Sequence, residues 1–151
     1  IMAEARQANP PPPTPAAVGP SWTTPAGWAE QQPTAMRLGN FTAGDGKAEI
    51  TVMTFPGDVG GLLANVNRWR SQAGLSPVDA AGLAKATEQV NVAGTPATLV
   101  EAIGAANGSL SVYHPADGLT WFYKMSGPSD VVTAEKGAFM EFLQSIQFPK
   151  P

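Results

Sequence analysis

A chain of 151 residues with 43% hydrophobic content is long enough to bury one sizeable core and short for two. Its net charge of −3 and pI near 5.0, with nine Lys and Arg spread along the length, provide no basic stripe to neutralise a phosphate backbone, which points away from nucleic acid as a partner. The absence of Cys removes disulfides, thiolate nucleophiles, zinc knuckles and iron–sulfur ligation, and no apolar stretch approaches the roughly 20 residues that span a bilayer.

Residues 1–21 are rich in proline, including the run Pro10 to Pro13, and too poor in bulky apolar residues to offset the entropy of ordering. They are expected to form a disordered tether, and at about 3.1 Å per residue in polyproline form they would reach roughly 60 Å. Any signal peptide, lipidated cysteine or other membrane anchor is expected upstream of Ile1. The folded part, residues 22–151, is expected to be a single domain opening on Trp22 and Trp28 as core residues.

Met36 to Phe41 and Lys47 to Phe55 read as strands joined by a turn over Thr42 to Gly46, where Asp45 and two glycines supply the hairpin chemistry. Pro56-Gly57-Asp58 ends the second strand. Asp58 is the expected N-cap of a helix whose apolar stripe is Leu62, Leu63, Val66 and Trp69, running to Ala73-Gly74. Asp79 caps a second helix from Ala80 to Lys85. Strands follow at Gln89 to Val92, Ala97 to Ile103, Ser109 to His114 and Leu119 to Met125, with tight turns at Ala93-Gly94, Gly104 to Gly108 and Pro115 to Gly118. In the last strand Leu119, Trp121, Tyr123 and Met125 share one face, and Thr120, Phe122 and Lys124 the other, so both faces must be covered. A final helix is expected from Ser129 to Ile146. This order predicts an α+β fold: a mostly antiparallel sheet of about six strands flanked by helices.

The stretch from Leu119 to Pro128 (Leu-Thr-Trp-Phe-Tyr-Lys-Met-Ser-Gly-Pro), the closing helix with Phe139-Met-Glu-Phe-Leu143, and Trp28 leading to Met36-Arg37 resemble the PsbP-like fold superfamily. That superfamily includes the photosystem II extrinsic protein and a Ran-binding nuclear import factor. The stretch from Gly60 to Arg70 (Gly-Gly-Leu-Leu-Ala-Asn-Val-Asn-Arg-Trp-Arg) is similar to bacterial envelope proteins of unassigned function with this architecture. The resemblance spans residues 22 to 148 as a pattern and implies an α/β/α sandwich. It carries no catalytic residue onto this chain.

His114 is the sole histidine, so a Ser-His-Asp arrangement would need it, with Asp117 or Glu101 as the orienting acid. No Gly-x-Ser-x-Gly elbow accompanies it, and its place before Pro115 reads as an exposed hairpin position. Asp45, Asp58, Asp79, Asp117 and Asp130 are scattered through turns and caps rather than grouped as metal ligands. Gly57 to Gly61 precedes a helix as an anion-binding loop does, without the Gly-Lys-Ser/Thr ending of a P-loop. The richest polar set is Asn65, Asn67, Arg68, Arg70 and Gln72 around Trp69. Asn65, Arg68 and Gln72 fall on one stripe, and an Arg beside amides can grip a carboxylate in fork geometry. The competing reading is that the arginines pair with local carboxylates while the amides cap loops.

The expected function is therefore a non-catalytic, envelope-associated accessory or binding domain, anchored upstream in the cell envelope or periplasm. It would take an unknown protein or small anionic ligand through the Arg68 helix face, with no cofactor and no metal. The alternatives are a hydrolase using His114 and a soluble protein-binding module.

Overall fold

The computed structural model describes residues 19–149. Among these the chain runs β1 (Ala29–Glu30), β2 (Gly39–Ala43), β3 (Ala48–Pro56), α1 (Leu62–Gln72), α2 (Ala80–Ala86), β4 (Thr87–Val92), β5 (Thr95–Ile103), β6 (Asn107–Ala116), β7 (Leu119–Pro128), α3 (Ser129–Ala134) and α4 (Lys136–Ser145). The strands form one sheet in the order β1-β2-β3-β7-β6-β5-β4, every neighbour antiparallel. The seventh strand relative to the sequence expectation is β1, two residues long and beyond the reach of pattern reading.

Three hairpins carry a residue-Gly pair at positive φ: Ala93-Gly94 and Asp117-Gly118 as two-residue turns, and Asp45-Gly46 within the four-residue connection Gly44 to Lys47. Pairs of this kind match the right-handed twist of the flanking strands, which is why Gly follows Asp in two of them. The register they set is continued by alternation. Ile50, Val52, Leu110, Val112, Trp121, Tyr123 and Met125 point to one face, where α4 lays down Phe139, Phe142, Leu143 and Ile146. Phe142 sits 5.3 Å from Phe41 and from Trp28 and 5.7 Å from Trp22, so Trp28 is a core residue and the half-buried Trp22 packs against the core. The opposite face carries Val100, Ala102, Tyr113 and Phe122 against Val66 and Trp69 of α1, with Leu83 of α2 at the margin.

The expected single closing helix is broken at Glu135, whose φ of −91° and ψ of 2° end α3 and restart the chain as α4. Glu135 accepts the Trp28 indole N–H at 3.0 Å, tying the break to the first indole of the aromatic cluster. Asp58 is not the N-cap of α1. Gly61 holds that position with no side-chain cap, because three glycines and Val59 at positive φ carry the chain round a wider loop and leave Asp58 to accept from Gly60 N–H at 3.3 Å. Asp79 caps α2 as expected, accepting from Gly82 N–H at 2.9 Å. At Gly104 a Cβ would collide with the Ala73 carbonyl, so only glycine lets the end of α1 press onto the β5–β6 connection.

The first 18 residues of the expected tether lie outside the described range. Its last residue, Ser21, pairs with Gln147 in an antiparallel bridge, N–H to carbonyl at 2.8 and 2.9 Å.

Ala93 is the one primed-turn residue among these three hairpins without Asp or Gly chemistry, and its φ of 54° costs an ordinary L-residue roughly 1–2 kcal/mol. Ala93→Asn is expected to raise stability by about 0.5–1 kcal/mol, read as a higher urea midpoint at unchanged m-value. A lower midpoint would contradict the turn assignment.

Candidate functional site

The α1 side of the sheet is built from cross-strand rows. In one row Thr51, Lys124, Ser111 and Val100 lie side by side on β3, β7, β6 and β5; in the next, Met53, Phe122, Tyr113 and Thr98 do so. Phe122 is the hub of the second row. Its ring meets Phe55, Trp69 and Tyr113 edge-on, with centroids 5.8, 6.0 and 5.9 Å away. Helix α1 covers this side from above, and the loop 57–61 forms its rim. That loop is pinned from beneath. Tyr113 donates its hydroxyl to the Asp58 carbonyl at 2.9 Å, Thr120 donates to the Gly57 carbonyl, and Asn65 Nδ2 donates to the carbonyls of Val59 and Gly61 at 3.0 and 2.6 Å. Within it Val59 holds a φ of 53°, a strained value for a β-branched residue.

The five polar residues singled out on α1 separate into two groups. Asn65 is fully buried and spends both amide hydrogens on the rim loop, leaving Oδ1 without a partner among the described residues. Asn67 grips the Val78 backbone from both ends of its amide, at 2.9 and 2.8 Å, and Arg70 Nε donates to the Ser76 carbonyl at 2.7 Å. Asn67 and Arg70 thus hold the chain between α1 and α2, and Asn65 holds the loop that leads into α1. Arg68 and Gln72 remain on the groove side. Arg68 stacks over the Trp69 ring at 5.5 Å from its centroid, and Gln72 Oε1 accepts from Lys124 Nζ at 2.8 Å.

Lys124 is the member of this site that sequence reading left out. With Arg68, Gln72, Thr51, Met53, Phe55, Val59, Trp69 and Phe122 it encloses a groove of about 360 Å3 between α1 and the β3–β7 strip. Burial lowers the Lys124 pKa below its ordinary value, the neighbouring Arg68 charge lowers it further, and Glu49 opposes both. Among the described residues no carboxylate comes within ion-pair distance of either cation. Glu49 spends its carboxylate on Arg37 at 2.8 Å. The available signal was that Lys124 is the single charge inside a ten-residue strand buried from both sides.

His114 overturns the exposed-hairpin reading. β6 continues through Pro115 to Ala116, so the turn is only Asp117-Gly118, and His114 follows Leu110 and Val112 onto the α4 face with 0% exposure. The ring of Phe148 lies parallel to it at 5.7 Å. Thr95 donates its hydroxyl to the Val92 carbonyl at 3.1 Å, so its oxygen accepts from His114 Nε2–H at 2.6 Å. Nδ1 is then the acceptor for the Tyr123 hydroxyl at 2.9 Å. Both ring nitrogens of the neutral imidazole are thereby satisfied, and no serine hydroxyl is bonded to it.

Among the described residues no three His, Asp or Glu side chains gather into a cation site, and no helix is long and apolar enough to cross a membrane. Neither a protein-family model nor a curated protein sequence matches this chain. Solved structures do match. Cyanobacterial PsbP (CyanoP) from Synechocystis sp. PCC 6803 superposes with a TM-score of 0.52 at 11% identity, over 87% of this chain and 94% of that one. The fold is PsbP-like. A protein from Bacteroides thetaiotaomicron VPI-5482 superposes with a TM-score of 0.55 at 12% identity, covering 89% of this chain, which spans 46% of that protein's length. At these identities the likeness is one of PsbP-like architecture, and the groove has to be read from its own residues.

Within this PsbP-like sheet, burial holds the His114 pKa below its ordinary value of 6.5. A proton on Nδ1 would also leave the Tyr123 hydroxyl hydrogen without an acceptor in the core. The unfolded chain therefore takes up this proton at higher pH than the folded one. The His114 contribution is present in full above pH 6.5 and is lost as pH falls from there through the lower folded value. Urea unfolding at pH 7.5 and pH 5 should show a larger acid loss for wild type than for His114→Phe. Equal losses would mean that the imidazole is not sealed.

Proposed function

We propose that this chain is a non-catalytic binding domain of PsbP-like fold, presented in the cell envelope or periplasm and held there by an anchor upstream of residue 1. Its binding face is the groove between α1 and the β3–β7 strip, and its partner is a protein or a small anionic molecule. The observation that carries this reading is the groove itself. It joins an apolar floor of Met53, Phe55, Phe122 and Trp69 to two unneutralised cations, Arg68 and Lys124, which is the composition of a recognition site. The arrangement holds no nucleophile paired with a base. His114 lies on the other side of the sheet, beneath Phe148. Envelope placement draws on the likeness of the Gly60 to Arg70 stretch to bacterial envelope proteins and on the proline-rich character of residues 1–21.

Site-specific photo-crosslinking of the full-length protein in its own cells, followed by fractionation, tests both parts. A diazirine residue at Gln72, on the groove, should give a discrete adduct recovered with the envelope. The same residue at Glu141, exposed on α4 across the sheet, should give none. Indistinguishable products from the two positions would remove the groove from the account, and adduct confined to the cytosol would remove the envelope.

A further inference from the structure

Resting on the groove as the binding face, we infer its ligand class: a small amphipathic monocarboxylate, its head group between Arg68 and Lys124 and its apolar body against Phe55, Phe122 and Trp69. Three observations converge on that chemistry. The first is an electrostatic cost compensated only in part, by the charge of Glu49, whose carboxylate is paired with Arg37. Two cations face one space, and a neutral amide oxygen, that of Gln72, is what Lys124 Nζ bonds to at 2.8 Å. An isolated pair of like charges is repulsive, and a protein of net charge −3 has carboxylates to spare, yet Glu49 is committed to Arg37 and Glu101 to Lys136. An anion from outside relieves the repulsion and displaces the exposed Gln72 amide from Lys124.

The second observation is the shape of the donor set. Arg68 offers a planar fork, steadied by stacking on Trp69 at 5.5 Å, and Lys124 a single point charge on a stem buried along the sheet. A flat two-oxygen head group matches a fork on one side and a point on the other. The third is the remaining lining, which is largely aromatic or aliphatic, and the volume of about 360 Å3, at the small end of the roughly 300–1,000 Å3 range of ligand pockets. An apolar body the size of one ring or a short chain fills it.

The other grooves lack this combination. The one beside β4 is lined by two cations and two carboxylates, Arg70 and Lys85 with Glu88 and Glu101, and so carries no net positive charge. The one at the end of α4 is lined by Asn91, Gln144 and Gln147 without a charge. Among the described residues, the α1 groove sets net positive charge above an aromatic floor.

The test titrates 3-phenylpropionate into the folded protein and follows the Trp69 indole N–H by NMR, with the neutral isostere 3-phenylpropanamide and inorganic phosphate as parallel probes. The carboxylate should shift that resonance saturably and bind at least about tenfold tighter than the amide, a difference of roughly 1.4 kcal/mol. Arg68→Gln and Lys124→Met should each weaken it by about tenfold or more while keeping the wild-type melting temperature, since Met preserves the buried stem of Lys124. Equal affinity for the amide, equal affinity for phosphate, or variants that bind like wild type would overturn the assignment. If no probe binds while the Gln72 position still crosslinks in cells, the ligand class is wrong and the binding face stands; loss of both sinks the two together.

Discussion

Strand β7 is covered on both sides, and every other feature follows from how that cover is arranged. It lies at the centre of the sheet, hydrogen-bonded to β3 and β6. Trp121, Tyr123 and Met125 are driven into the α4 layer while Phe122 and Lys124 are driven under α1. A strand in this position cannot satisfy one face at the expense of the other. A one-residue slip would place Lys124 among Phe139, Phe142 and Leu143 and expel the Trp121 and Tyr123 rings. Alternation along β7 thus fixes the register of the molecule and, in the same stroke, the place of its half-buried cation.

The two sides use that constraint differently. On the α4 side four aromatic rings, Trp22, Trp28, Phe41 and Phe142, close the layer, and the one polar island, His114 with Thr95 and Tyr123, is internally satisfied and capped by Phe148. This side is a sealed core. On the α1 side one eleven-residue helix and a short companion lie over a sheet of seven strands, so the β3–β7 strip is roofed at its margin only. Asn65, Tyr113 and Thr120 fix the rim loop beside that strip, and the strained Val59 stands in its wall. Rigidity at the rim and incomplete cover over the floor together make the groove.

Much of the architecture was legible in the sequence because local signals and tertiary demands agree. The Asp-Gly and Ala-Gly dipeptides fall at hairpin turns, Asp79 caps α2, and period-two alternation marks β3 and β7. Where they disagree the tertiary context prevails. Asp58 looks like a cap, but the glycines that follow it lengthen the loop before α1 begins. Ser129 to Ile146 keeps one helical period throughout, yet the chain breaks at Glu135, whose carboxylate receives the Trp28 indole from over a hundred residues away. His114 next to Pro115 looks like a turn residue, although the alternation of Leu110, Val112 and His114 already pointed inward. Within the candidate site, α1 was identified from its polar residues alone, and Asn65, Asn67 and Arg70 prove to hold backbone. Lys124 escaped notice because a lysine that alternates with aromatics on a strand reads as the solvent side until the helix above it is placed.

Native-state hydrogen exchange of the folded chain probes the doubly covered strand most directly. Amides at the centre of β7, from Trp121 to Met125, should open only with the whole molecule, at a free energy equal to that of global unfolding, while amides of β2 and β4 exchange through smaller openings. If the β7 amides opened at lower free energy than those of the outer strands, the strand would not be the anchor of both layers, and the origin of the groove given above would be wrong.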